Sequence, residues 1–259
     1  AQMDDKLRTE AVDRVVKMAI ATGLTNLVTF EGGYISHENH ARYIMENRSL
    51  FPIDIKLFYQ SSDLDKARQY NLKHVGGMFV DGTFTARTAA ISNKYLDAEG
   101  DGRLYFTQSD LNRQILSAHR EGYQLTAHCC GYRAVEQTIN AYEYAQSVFR
   151  RDNTRHRIEH CELISDDLIR RALELGLILS MQPNYEHYWG GPGGMYHRSM
   201  GRMGLATNQL RKLLDAGLII AGGSDYDITE INPWMSIHTA VNHPNPESRV
   251  TVDEALRMY

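Results

Sequence analysis

Lys212–Asp225 reads KLLDAGLIIAGGSD: a helix-forming run, a glycine, a short apolar run, then polar residues. Glycine just past a helix takes the left-handed conformation most cheaply, and a short apolar run behind it suits a strand buried on both faces. The same unit occurs as MAIATGLTNLVTF around Gly23, SAHREGYQLTAHCC around Gly122 and RALELGLILSMQP around Gly176. Asn71, which tolerates the same backbone, precedes LKHVGGMFV, and polar punctuation precedes IDIKLFYQ from Ile53 and RHRIEHCE from Arg155. Seven strands alternating with helices imply parallel pairing through right-handed crossovers, closed as a barrel or left as an open doubly wound sheet. Neither a G-x-G-x-x-G fingerprint nor a P-loop is present to favour the open sheet. The apolar runs end in His128, His160, Gln182 and Asp225, and polar side chains gathered at the carboxyl ends of several strands are the habit of a barrel. The expected fold is therefore α/β, a TIM-type (β/α)8 barrel, in one domain over residues 1–259.

The composition excludes several classes of function. With 42% apolar and 23% charged residues in 259, the sequence is that of an ordinary globular protein. A net charge of -4 without basic blocks makes nucleic acid a poor partner. No apolar run approaches the roughly 18 residues that span a bilayer, and Ala1–Glu10 lacks a signal-peptide profile, so a cytoplasmic location without membrane attachment is expected. Cys129, Cys130 and Cys161 are too few for a disulfide framework and read as small buried strand residues. Tyr185–Gly204 is Gly-rich and aromatic, long for a connection, and reads as a substrate-covering loop in which Trp189, Tyr185 and Tyr188 pack on a ligand.

Two imidazoles and a carboxylate at strand ends suit zinc and its neighbours. One such residue alone is more often a hydrogen-bonded structural group; His128, His160 and Asp225 placed together at three strand ends favour a metal site. Cys129 and Cys161 alternate away from their histidine neighbours and should face other surroundings.

The motifs FVDGTFTARTAA from Phe79, TAHCCGYRAVE from Thr126, HRIEHCE from His156, ILSMQP from Ile178 and GGSDYDITEINPW from Gly222 resemble, in this order, amidohydrolase family 3 of the amidohydrolase superfamily, which contains N-substituted formamide deformylases. The resemblance implies a metal-dependent hydrolase of non-peptide C–N, amide-like bonds in a small-molecule substrate, acting through metal-activated water. It implies His128 and His160 as metal ligands, with His160 helping to polarise the carbonyl, and Asp225 as both ligand and proton shuttle. Asp81, Arg87, Tyr132 and Trp189 are the expected substrate contacts, although Arg87 could equally pair with a nearby acid. A divalent metal, zinc first, is the implied cofactor, as one or two ions.

The chain also departs from the family pattern. No His-x-His is present, Gly77 stands where the family carries a bridging lysine, and Tyr132 replaces an acidic residue. One ion is therefore favoured over two. The family's first strand is expected before residue 1 and its last helix and small β domain after residue 259, as for the middle of a longer polypeptide. Two rival readings stay open: an inactive homologue retained for binding, and a metal-free isomerase or lyase using His128 and Asp225. Substrate identity and homo-oligomerisation are not fixed by the sequence.

Overall fold

The helix Asp166–Glu174 shows how the repeated unit folds. Ser165 caps its start by accepting from the Leu168 amide at 3.4 Å, and Leu168, Ile169 and Ala172 form its buried face. Gly176, at φ +61°, ends it: its N–H donates to Leu173 O at 3.0 Å and the Leu177 N–H reaches back to Ala172 O at 3.0 Å. These two bonds satisfy the carbonyls a helix leaves bare at its end, and they need the left-handed residue between them. The same pair of bonds stops the chain at Gly23, Asn71, Gly122 and Gly217, the positions expected from the sequence.

A strand follows each stop. In this computed structural model, which describes residues 4–33 and 36–259, the strands are β1 (Asn26–Glu31), β2 (Asp54–Tyr59), β3 (His74–Phe79), β4 (Gln124–Cys129), β5 (Arg157–His160), β6 (Ile178–Met181) and β7 (Ile219–Gly222). The chain divides into two compact units, residues 1–77 and Met78–Tyr259. In the first, β1 pairs in parallel with β2 from Asn26↔Asp54 to Glu31↔Tyr59, and Tyr59 is in register with Val75 of β3. In the second, the Val80 N–H beyond β3 donates to His128 O at 3.1 Å, and β4, β5, β6 and β7 pair in parallel in that order. Strand order is chain order in both units, with crossovers that are largely helical, as in a TIM-type (β/α)8 barrel of which seven strands are present among the described residues. No helix among them is long and apolar enough to cross a membrane.

Gly77 lies at φ +76°, and a Cβ there would come within 3.0 Å of the Phe30 ring and 3.3 Å of Gln60 Nε2. The backbone and the packing both select glycine at the place where the sequence resemblance expects lysine.

Tyr185–Gly204, expected as one long loop, carries secondary structure of its own. It forms the helices Tyr185–Trp189 and Met195–Met200 and runs into a 3-10 turn, Gly201–Leu205. Tyr196, Ser199 and Met200 are buried, and Tyr196 joins an apolar cluster with Phe84, Ala89, Ile91, Tyr95 and Leu163. Glu186, also buried, accepts from Thr207 Oγ1 at 2.6 Å and Asn208 Nδ2 at 2.9 Å. Tertiary anchoring outweighs the glycine content here.

Beneath β4 and β5 lies a buried histidine pair. The Leu125 N–H donates to His156 Nδ1 at 3.0 Å, so Nε2 carries the proton and donates to His119 Nδ1 at 2.9 Å; His119 Nε2 then donates to Phe149 O at 2.7 Å. Both rings are satisfied only when neutral, and burial pushes His156 down to about 3 from 6.5. Its neutral form contributes stability that is complete above pH 6.5 and is lost as pH falls toward about 3, at about 1.4 kcal/mol per pH unit. Imidazole NMR should show His156 unprotonated at pH 5; a midpoint near 6.5 would contradict the pairing.

Candidate metal centre

Adjacent strands bring two imidazoles together. In the β4–β5 register His128 faces Glu159 and Cys129 faces His160, which places both histidines at the carboxyl ends of their strands. Their ring centroids lie 4.4 Å apart at 71°. Cys130 follows β4, with Sγ 3.6 Å from His128 Nε2. His128, Cys130 and His160 each offer one ligand atom such that all three lie within 4.8 Å of one another, and all three residues are buried.

Each ring is held from behind. The Phe79 ring lies 4.5 Å from His128, whose Nε2 is 3.1 Å from Gly82 O. Burial, then the neighbouring His160, holds His128 well below the usual histidine range, so it is a neutral imidazole that donates from Nε2 to Gly82 O and keeps its lone pair on Nδ1. His160 Nδ1 is 2.8 Å from Gln182 Oε1, and Gln182 Nε2 donates to Ser180 O at 3.4 Å. With the amide oriented by Ser180, Gln182 Oε1 accepts, His160 Nδ1 carries the proton and Nε2 is left for a ligand. His160 and Cys161 occupy left-handed backbone at φ +71° and +49°. Two consecutive non-glycine residues in that region store strain of the kind found where a side chain must be aimed.

Asp225, the third expected ligand, lies outside this group. It ends the turn after β7 at φ +52°, is exposed, and accepts from Tyr185 OH at 2.5 Å through Oδ2. The Tyr185 ring lies parallel to His160, 6.2 Å away at 12°, and so joins Asp225 to the histidine pair. Burial, then the Asp225 charge, keeps the phenol protonated and a donor.

The four expected substrate contacts are distributed differently. Asp81 is fully buried, and its carboxylate accepts the backbone N–H groups of Ala90 (2.8 Å), Cys130 (2.9 Å) and Gly131 (2.9 Å), tying the loop after β3 to the turn after β4. Burial pushes its carboxyl up to about 6, offset in part by those amides. Arg87 forms a two-point pair with Asp97, at 2.8 Å through Nε and 2.5 Å through Nη2. Tyr132 and Trp189 are partly buried against the apolar cluster that contains Cys130. An Asp81→Asn variant would turn an amide NH2 toward backbone donors and should lose about 3 kcal/mol of stability. Urea unfolding would measure this, and a change under 0.5 kcal/mol, about the size of an ordinary surface substitution, would contradict that role.

A cation fits these residues. A neutral imidazole, a second imidazole with its tautomer fixed and a thiol form a donor set suited to zinc. Three buried carboxyls, Asp81, Glu162 and Glu186, stand in the same unit without a Lys or Arg partner among the described residues. The sequence reading takes Cys130 only as a buried packing residue and gives Gln182 no orienting role; the His128-x-Cys130 spacing, which puts two side chains on one side of an extended chain, was the available signal that the former lies beside His128.

Comparison with known proteins places the chain. The profile of the amidohydrolase family matches residues 9–259. The chain is 23% identical to Protein LONG AFTER FAR-RED 3 of Arabidopsis thaliana over 93% of its own length and 44% of that protein. It is 28% identical to the N-substituted formamide deformylase of Arthrobacter pascens over 61% of its length and 30% of that enzyme. The fold matches the crystal structure of an uncharacterized metal-dependent hydrolase from Pyrococcus furiosus with a TM-score of 0.83 and 24% identity, covering 99% of this chain and 55% of that one. The chain thus spans about half the length, or less, of the proteins it matches.

Proposed function

Because this chain belongs to the amidohydrolase family, we propose that it is a metal-dependent hydrolase that cleaves an amide-like C–N bond outside peptides, with a small N-substituted formamide as the model substrate. The observation that carries this reading is the pair His128 and His160, aimed at one another from adjacent strand ends 4.4 Å apart. The similarity to the formamide deformylase, 28% over the matched stretch, supports the substrate class. Zinc in a reducing compartment such as the cytoplasm suits the donor set and three free cysteines.

When bound, a divalent cation polarises a carbonyl and makes water nucleophilic near neutral pH. His128 and His160 hold it, the first neutral through burial and the second through the Nε2 that Gln182 leaves free. Asp225 completes the set that the resemblance implies, and its placement favours proton transfer. Oδ2 is occupied by Tyr185 OH, so Oδ1 takes the proton from the attacking water and returns it to the departing nitrogen. Tyr185 and Trp189, with ring centroids 4.7 Å apart, shield His160 from bulk water.

The test is metal analysis of the purified protein together with hydrolysis of N-substituted formamides and, as the competing arm, dipeptides. The expected result is one cation per chain, formamide hydrolysis lost on chelation and restored by zinc, and little dipeptide cleavage. Undiminished turnover in a metal-free preparation would overturn the metal reading, and preferred dipeptide cleavage would overturn the substrate class.

A further inference from the structure

We infer that Cys130 is a thiolate ligand of the cation, so that the centre is formed by His128, His160 and Cys130. The inference rests on the metal centre proposed above and adds a donor of different chemistry to it. His128 and Cys130 stand two residues apart at the end of β4, where an extended chain turns both side chains the same way. Cys129 between them turns away, its Sγ 3.1 Å from Thr138 Oγ1. Cys130 Sγ and one ring nitrogen from each of His128 and His160 lie within 4.8 Å of one another, a spread that small side-chain rotations bring to the about 3.5 Å separating sulfur and nitrogen on a tetrahedral zinc with ordinary bond lengths.

The sulfur is also held in place. Glu162, two residues beyond His160, interacts electrostatically with Cys130, and Tyr196 OH donates to Glu162 Oε2 at 2.5 Å. Tyr196, Glu162 and Cys130 are all buried, so the thiol has little freedom to turn elsewhere. An orienting partner behind a ligand is the usual support of a metal donor, and a cysteine that only fills space has no need of one. Coordination breaks the S–H bond, forms the metal–sulfur bond and releases one proton.

The experiment replaces the native cation with cobalt(II) in the purified protein and records the near-ultraviolet spectrum. Thiolate on cobalt gives an intense charge-transfer band there that imidazole and carboxylate do not. The band is expected in the wild type, Cys129→Ser and Cys161→Ser, and should vanish in Cys130→Ser and Cys130→Ala. Zinc affinity in the Cys130 variants should fall at least about 10- to 100-fold. X-ray absorption on the wild-type zinc protein needs no variant and should show a sulfur scatterer at about 2.3 Å. Stoichiometric cobalt without the band, or a band that survives Cys130→Ser, overturns Cys130 ligation and leaves the hydrolase reading standing; a protein that binds neither cobalt nor zinc overturns both.

Discussion

Asp225→Asn should lower kcat about 10²- to 10⁴-fold, the usual contribution of a positioned proton carrier, while KM changes little and the cation stays bound. The substitution preserves the shape of the side chain and can still accept from Tyr185 OH through its amide oxygen. It removes the oxygen that takes up a proton. Because Asp225 lies outside the group formed by His128, Cys130 and His160, its loss should separate chemistry from metal retention. Steady-state kinetics with metal analysis on the same preparation decides the matter. A loss of less than tenfold would remove Asp225 from proton transfer, and loss of the cation along with activity would make it a ligand before anything else.

His160→Ala should remove the cation and, with it, catalysis by at least about 10³-fold, since charge stabilisation by a bound metal is worth several kcal/mol. The companion variant Gln182→Leu leaves the imidazole in place and strips the acceptor from its Nδ1 proton. It should weaken metal affinity by about 10- to 100-fold and leave some activity at saturating zinc. Circular dichroism should show both variants folded, because His160 ends its strand and Gln182 lies beyond the end of the next. Full metal retention in His160→Ala would remove this residue from the centre.

The architecture was legible because it rests on short-range rules. A left-handed stop at Gly23, Asn71, Gly122, Gly176 or Gly217 is written in the residue itself, and the buried run after it leaves little choice of structure. The pairing of His128 with His160 was legible for a related reason: strand ends in a parallel α/β fold meet on one side. Asp81 shows where this reasoning stops. Its three partners are backbone amides, those of Cys130 and Gly131 lying 49 and 50 positions away, and nothing in the local sequence marks a carboxylate that ties two turns together. Arg87 is a milder case: pairing with a nearby acid is one of the two roles its sequence leaves open, and the acid is Asp97, ten residues away. In the segment after β6 the glycine content gave no sign of the short helices, which Tyr196 bound to Glu162 and Glu186 bound to Thr207 fix by contacts distant in sequence. Cys130 was read as packing because most free cysteines are, and it is indeed buried in the apolar cluster with Phe84 and Tyr196; its alternation with His128 is the signal on which the further role proposed for it rests.

The buried charges give the two ends of the strands opposite responses to pH. His156 must stay neutral and weakens the fold as pH drops below 6.5. Glu162, pushed up to about 8, and Glu186, pushed up to about 7, both by burial, act in the other direction. Their folded values lie above the unfolded 4.5, so the stability they contribute is complete below that pH and is lost progressively as pH rises from there to about 7 for Glu186 and about 8 for Glu162.

Diffraction recorded on both sides of the zinc absorption edge, from crystals of the active protein, tests the metal centre most directly. One anomalous peak is expected within about 2.0–2.1 Å of a ring nitrogen of His128 and of His160. Crystals of a preparation with full formamide turnover that show no such peak between these two rings would contradict it.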